Sequence, residues 1–314
     1  MKKISAGKGV IVIGELNIDA VASGLAEPPR MGGEILAKDF RLTLGSASAI
    51  FACGMAKLGH EVTLIARVGT DYFGRLCLSA LRDAGVSTRH VSRDKDLKTG
   101  VTISLSSRND RALVTYPGAI AALGPEDMSR SKLKGHNHLH MTSYFLQTRL
   151  QSSFPQIFRE ARELGLTTSF DPNSDPTDSW NQGIREVFTN TDLLFVNKAE
   201  ALALTRTRTA SAALKSLGRQ VSCAVIKLGP DGAMAIKDGE ITSAKGFSIE
   251  PVDTTGAGDS FAAGFVSAYL RDRPMTECLG VANACGALST LKVGGTPGQP
   301  TPQTLKNFLA AHRP

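Results

Sequence analysis

The chain has 314 residues, 42% of them hydrophobic and 21% charged, the ordinary balance of a folded globular protein and outside the range of disordered or fibrous chains. Its formal charge is +7, yet Lys and Arg are scattered without a run of five or six, and aromatics are only 6%. That argues against a nucleic-acid stripe, and a small anionic ligand accounts for the basicity equally well. The five cysteines, Cys53, Cys77, Cys223, Cys278 and Cys285, include no CxxC pair, which points to reduced, buried thiols rather than a disulfide framework or a cysteine zinc site.

The first apolar run, VIVI in GVIVIG (9 to 14), is too short for a signal-peptide core and is followed by Glu15 and Asp19. No later stretch approaches a membrane span, so a cytoplasmic protein without membrane contact is expected. Strand-like runs lie at 9 to 14, 62 to 69, 138 to 143, 167 to 171, 193 to 197 and 223 to 229. Helical periodicity lies between them at 46 to 58, 73 to 85, 151 to 164 and 209 to 218. Such alternation specifies a parallel sheet covered on both faces. Residues 15 to 44 and 99 to 117 break the rhythm with polar-apolar alternation and turn signals at Pro28-Pro29, Gly32-Gly33 and Asn109-Asp110, the pattern of antiparallel strands. They form either a small β-layer beside the main sheet or an extension of its edge. No repeat or low-complexity linker divides the chain, and residues 1 to 314 read as a single domain.

Chemistry concentrates in DTTGAGDSF (253 to 261), directly ahead of an apolar run with Phe261 and Phe265 at helical spacing. Gly256, Ala257 and Gly258 thus fall at a helix N-terminus, where unpartnered N–H groups and the helix dipole attract anions, phosphate above all. The chain has no GxxxxGK[ST] and no GxGxxG after a strand, which excludes a P-loop and weakens a dinucleotide site. A carboxylate at Asp259 repels a resident phosphate. It makes sense if it takes a proton from a hydroxyl attacking phosphorus; a plain glycine turn with an acidic first-turn residue is the alternative.

DTTGAGDSFAAGF closely resembles the second signature of the PfkB, or ribokinase-like, sugar and nucleoside kinases, and the likeness runs over nearly the whole chain. GELNIDAV resembles that family's first strand and substrate turn, GSASAIFACGMAKLGHEVTLIARVGTDYFG its first signature, NKAEA its NxxE motif and KLGPDGA its nucleotide strand and turn. The resemblance implies a three-layer α/β/α sandwich with a mostly parallel central sheet, and a small β-sheet lid from segments 15 to 44 and 99 to 117. It implies an ATP-dependent carbohydrate kinase acting on a sugar or sugar acid, and a homodimer formed through the lid. Asp259 would be the general base and Gly256, Ala257 and Gly258 the anion hole. Asn197 and Glu200 would organise Mg2+ and the phosphates, partly through water; read from the residues alone they are also an N-cap and its N3 partner. Lys227, Gly229 and Gly232 would flank the nucleotide. The small residues of ANACGALSTLKVGGTPG would cover the purine or serve close helix packing. Asp253 and Thr255, completed by Ser289 and Gly294, would bind a monovalent cation such as K+. Asn17 and Asp19 would hydrogen-bond acceptor hydroxyls, beside Gly45.

The sequence departs from the family pattern at two positions. Ser46 replaces the second glycine of the family's pair, and Ile50 stands where many sugar kinases carry an Asn. An apolar Ile50 either lines the acceptor pocket or joins the stripe Ile50, Phe51, Gly54 and Leu58 in the core. Ser143, Tyr144, Asp171, Asn173 and Trp180 are further acceptor-site candidates. A nucleoside kinase and a silent sugar- or nucleotide-binding regulator are the alternative functions.

Overall fold

A computed structural model describes residues 8–107, 111–180 and 183–312; the expected turn at Asn109-Asp110 lies outside the described residues. Thirteen strands are present among the described residues. They are β1 Gly9–Ile13, β2 Asn17–Leu25, β3 Asp39–Leu44, β4 Glu61–Gly69, β5 Val86–Asp94, β6 Gly100–Ser107 and β7 Arg111–Tyr116, followed by β8 His138–Thr142, β9 Thr167–Asp171, β10 Leu193–Asn197, β11 Cys223–Lys227, β12 Ala233–Lys237 and β13 Glu240–Ala244. Nine form one sheet in the order β13-β12-β11-β10-β9-β8-β1-β4-β5. All neighbours from β11 to β5 pair parallel, and β12 and β13 add an antiparallel edge.

The six strands expected from apolar runs are the core of this sheet. Along β1, Val10 and Val12 enter one core while Ile11 and Ile13 enter another, on opposite faces, which is why a doubly covered strand reads as an unbroken apolar run. Helices Ala47–Lys57, Tyr72–Asp83, Ala257–Tyr269 and Met275–Ser289 contribute to the first core, and Phe154–Glu163, Lys198–Thr205 and Ala210–Leu217 to the second. The result is three layers. Strand order reverses between β1 and β8, which opens a crevice at the carboxyl ends of those strands, the usual ligand position in such sheets. All five cysteines are free and buried.

The remaining strands form a separate sheet, β3-β2-β6-β7, not an extension of the large one. Each hairpin is antiparallel, but the two join through a parallel β2–β6 pair. Cross-strand register sorts its faces. Thr43, Asp19, Thr102 and Thr115 align in one row, and the neighbouring row is Leu42, Ala20, Ile103 and Val114. Adjacent rows point to opposite faces, so one face is polar and the other apolar. Near the body the apolar face is buried at Ile18 and Leu44, whereas Phe40, Leu42, Ile103, Val114 and Tyr116 are exposed.

Candidate active site

Helix Ala257–Tyr269 starts from Gly256 with φ of 70°, in left-handed backbone. A Cβ there would stand 2.9 Å from Gly295 Cα and from Ile50 Cγ2, so only glycine fits. The N–H of Ala257 donates to Thr254 O at 3.2 Å, whereas those of Gly258 and Asp259 bond no protein oxygen among the described residues. Two unspent donors at the positive end of a 13-residue helix can receive an anion. Of the three residues expected to form the anion hole, Gly256 sets the turn and Ala257 is already bonded.

Asp259 projects from this first turn. Burial pushes its carboxyl up to about 7, helped by Asp171, Glu15 and Glu200 and opposed by Lys227. Lys227, the last residue of β11, donates to Asp171 Oδ2 at 2.6 Å, and its Nζ lies 3.2 Å from where a Cβ on Gly258 would be. Burial disfavours the ammonium, but Asp171, Glu200 and Asp259 outweigh it and hold its pKa above the ordinary lysine value. Burial likewise raises the Glu200 carboxyl, with Asp171 adding to the effect. One cation among several carboxylates leaves an excess of negative charge, and that charge fits a divalent cation. Among the described residues no group of three His, Cys, Asp or Glu could hold one alone, so phosphate oxygens and water would complete its shell.

Asn197 and Glu200 form a reciprocal capping box. Asn197 Oδ1 accepts from Glu200 N at 2.9 Å and Glu200 Oε2 accepts from Asn197 N at 2.8 Å. The capping role is therefore real, and it also fixes the Glu200 carboxylate beside Lys227. A cavity of about 430 Å³ opens at Lys227 and Gly258, bordered by Gly229, Gly232, Phe247 and Ala287. That volume suits a small-molecule ligand. The small residues of the late helix divide between the two expected roles: Ala282 lies in the core, whereas Gly286 and Ala287 line the cavity. Asn283, not singled out in the sequence, also borders it and donates to the carbonyls of Ala244 and Lys245.

The expected acceptor residues meet at the base of the small sheet. Asn17 Nδ2 donates to Asp19 Oδ1 at 2.9 Å and to Thr102 Oγ1 at 3.2 Å. A Cβ on Gly45 would lie 2.1 Å from Asp19 Oδ1 and 2.7 Å from Asn17 Nδ2, so the glycine makes room for both. Ser46 follows with φ of 75° and caps helix Ala47–Lys57, its Oγ accepting from Ala49 N at 3.1 Å. Ile50 is 3% exposed and belongs to neither core; its side chain packs on Gly256 and Gly295. Asp253 Oδ1 accepts from Thr255 N and Oδ2 from Gly294 N, while Ser289 Oγ donates to Gly286 O.

The other acceptor candidates separate. Ser143 and Asn173 follow β8 and β9 with φ of 52° and 55°, and Asn173 Nδ2 donates to Ser143 Oγ at 2.8 Å. Tyr144 is buried against Phe145, Phe154 and Phe170. Trp180 sits edge-on to Phe145 and donates to Asp178. Glu15 was missed. It is 3% exposed, two residues beyond the end of β1, and its carboxylate accepts from Ser48 N, Ser48 Oγ and Thr142 Oγ1. The available signal was an acidic residue at the carboxyl end of a wholly apolar strand.

The description pfkB family carbohydrate kinase matches residues 8–302. The chain is 32% identical over 302 residues to an ATP-dependent ribose-1-phosphate kinase of Halopiger xanaduensis, covering 96% of this chain and 98% of that one. It is 30% identical over 316 residues to a 2-dehydro-3-deoxygluconokinase of Bacillus subtilis, covering 95% and 97%. A structure of Arabidopsis thaliana ribokinase complexed with ribose and ATP superposes with a TM-score of 0.84 at 25% identity, covering 96% and 99%. With its three-layer fold and a family match spanning nearly its whole length, the chain belongs to the pfkB family of carbohydrate kinases.

Proposed function

We propose that this kinase transfers the γ-phosphoryl group of ATP to a hydroxyl of a sugar or sugar acid. The observation that carries the reading is Asp259, a carboxyl with a pKa of about 7 placed one residue from an unspent N–H and facing Lys227. A base poised near neutrality accepts the proton of an attacking hydroxyl efficiently. The N–H groups of Gly258 and Asp259 receive the transferring phosphoryl oxygens, and Lys227 adds positive charge. Glu200 and Asn197 would hold Mg2+, partly through water, and the ion would supply charge neutralisation on the phosphates. Asp253, with Thr255, Ser289 and Gly294, is the proposed seat of a monovalent cation such as K+, each carboxylate oxygen retaining a lone pair beyond its backbone bond.

Asn17 and Asp19 bind acceptor hydroxyls, Ile50 forms an apolar wall beside Gly256, and the small sheet closes over the acceptor as a lid that excludes water. The lid's exposed apolar face, with Phe40, Leu42 and Val114, docks a second copy of the chain; exposed apolar patches of this kind mark interfaces. Phe40→Glu is expected to convert a dimer to a monomer in analytical ultracentrifugation.

The deciding experiment is an ADP-release assay with MgATP and fructose, ribose 1-phosphate, 2-dehydro-3-deoxygluconate and adenosine. ATP-dependent phosphorylation of one of the sugars is expected. Turnover of adenosine alone would make the chain a nucleoside kinase, and binding without turnover would make it a regulator.

A further inference from the structure

Gln299, in the segment after helix Met275–Ser289, hydrogen-bonds to both halves of the site. Its Nε2 donates to Ile50 O at 2.7 Å, on the helix that Ser46 caps, and to Ser260 Oγ at 3.1 Å, next to Asp259. It is 6% exposed although 249 residues separate it from Ile50. Both partners accept, so the amide nitrogen must face them. The other amide atom, Oε1, is buried without a protein donor among the described residues. A buried carbonyl left in that state disfavours the fold. An apolar residue of the same length would remove that cost together with the two bonds from Nε2, so the opposing effects on stability offset each other and do not by themselves call for glutamine.

The rest of the segment repeats the pattern. Gly294 N donates to Asp253 Oδ2, Gly295 carries the Ile50 side chain, and Lys57 Nζ donates to Thr296 O. Gly54 lies under the amide, 3.0 Å from Gln299 Nε2 and 2.9 Å from Ala263 Cβ at its would-be Cβ, so the two helices approach closely there.

We propose that Gln299 is a positioning residue, the pin of a clasp formed by residues 294–299 that fixes the acceptor-side helix Ala47–Lys57 against the turn carrying Asp259. This rests on the kinase reading above and adds that the separation of acceptor hydroxyl and base is set from outside the substrate pocket. Misplacement of reacting groups by about 1 Å costs on the order of 10²-fold in rate.

The test is Gln299→Met, which keeps the length, removes the orphan carbonyl and cannot donate. Turnover, counted per folded molecule on the acceptor panel, should fall at least about tenfold. The melting temperature should change little, the lost Nε2 bonds offsetting the removed carbonyl, and the affinity for MgATP by calorimetry should stay within about twofold. Because Asp259 itself loses activity on protonation, Gln299→Glu is read as a ratio to wild type at the same pH, and that ratio should rise as pH falls and a protonated carboxyl donates again. Unchanged turnover in the Met variant, with or without a lower melting temperature, would overturn the proposal. If the wild type phosphorylates no acceptor, the kinase reading fails instead. The clasp is then judged on amide exchange over residues 257–261: faster exchange in the variant supports it and unchanged exchange overturns it.

Discussion

Around the cavity the walls are largely backbone, with Gly229, Gly232, Gly258 and Gly286 presenting main chain to the space beside Lys227. At the small sheet the material is different: Asn17, Asp19 and Thr102 are side chains from two strands, bonded to one another across a parallel pair. Such a wall is least tolerant at Gly232, where φ is 102° and a Cβ would stand 2.1 Å from Ala244 O, and at Gly229, which holds left-handed backbone at φ of 63°. A wall of interlocked side chains can be retuned residue by residue. The two regions meet at Gly256, where the helix bearing Asp259 touches Ile50.

The largest effect is expected where both regions depend on one group. Asp259→Asn should lower turnover by about 10² to 10⁴, with MgATP affinity equal or higher as a negative charge leaves the anion seat. In the wild type, turnover should rise with pH through about 7, since only the ionised carboxyl accepts a proton. The stability effect has the opposite sign. The folded pKa lies above the ordinary 3.8, so the folded state holds this proton more tightly than the unfolded chain. That contribution is present in full below 3.8 and is lost as pH rises through about 7. Melting curves across this window should slope downward with pH in the wild type and less so in the Asn variant. Equal turnover in the two proteins would remove Asp259 from the chemistry.

Gly45→Ala should separate the regions. Its Cβ would stand 2.1 Å from Asp19 Oδ1, a short side chain that can rotate away without disturbing the sheet. The fold should survive while the acceptor loses a hydroxyl partner, costing about 1 to 3 kcal/mol. Acceptor KM should therefore rise about tenfold or more, with KM for MgATP within about twofold. Equal rises in both would mean that the small sheet and the cavity are not independent.

Sequence legibility follows the same division. The parallel strands announce themselves as apolar runs because both faces are covered, and the Asn197 and Glu200 capping box is a local spacing of three residues. The turn at Gly256 is equally local. β5, VSTRHVSRD, was not recognised: as an edge strand it keeps most positions half-buried, so its polar residues carry no period. The hairpin signals gave two antiparallel ribbons, but nothing local specifies the parallel β2–β6 join between residues about 80 apart. Glu15 offered only its place after an apolar strand and Gln299 no local signal, for a related reason. Their partners Thr142 and Ile50 are 127 and 249 residues away.

Ile50→Asn probes the meeting point and should have a moderate effect. The new amide would face Gly256 and Gly295 in a site 3% exposed, and without a partner it costs about 1 to 3 kcal/mol. The melting temperature should fall by a few degrees. If Ile50 is the apolar wall of the acceptor site, the ratio of kcat/KM for fructose over 2-dehydro-3-deoxygluconate should rise, because the amide offers a partner to an added hydroxyl. A lower melting temperature with an unchanged ratio would reduce Ile50 to packing.

Ser46→Gly should have the smallest effect, and its sign is informative. Ser46 holds a φ of 75°, which costs a side-chain-bearing residue about 1 to 2 kcal/mol relative to glycine. Against this, its Oγ accepts from Ala49 N and donates to Glu15 O. Replacing a Ser cap by Gly costs only a few tenths of a kcal/mol, and losing one further neutral hydrogen bond about 1 kcal/mol. The terms nearly cancel, so stability should change by less than about 1 kcal/mol in either direction. Function should not cancel in the same way. The Ser46 hydroxyl is also 3.0 Å from Ser48 Oγ, which bonds the Glu15 carboxylate, and Glu15 raises the Asp259 pKa. Freed of that anchor, Glu15 should be held less firmly, and the pH midpoint of turnover should drift downward while the melting temperature stays put. A large loss of stability with an unmoved midpoint would show that Ser46 serves only the helix it caps, and that the small-sheet side does not tune the base.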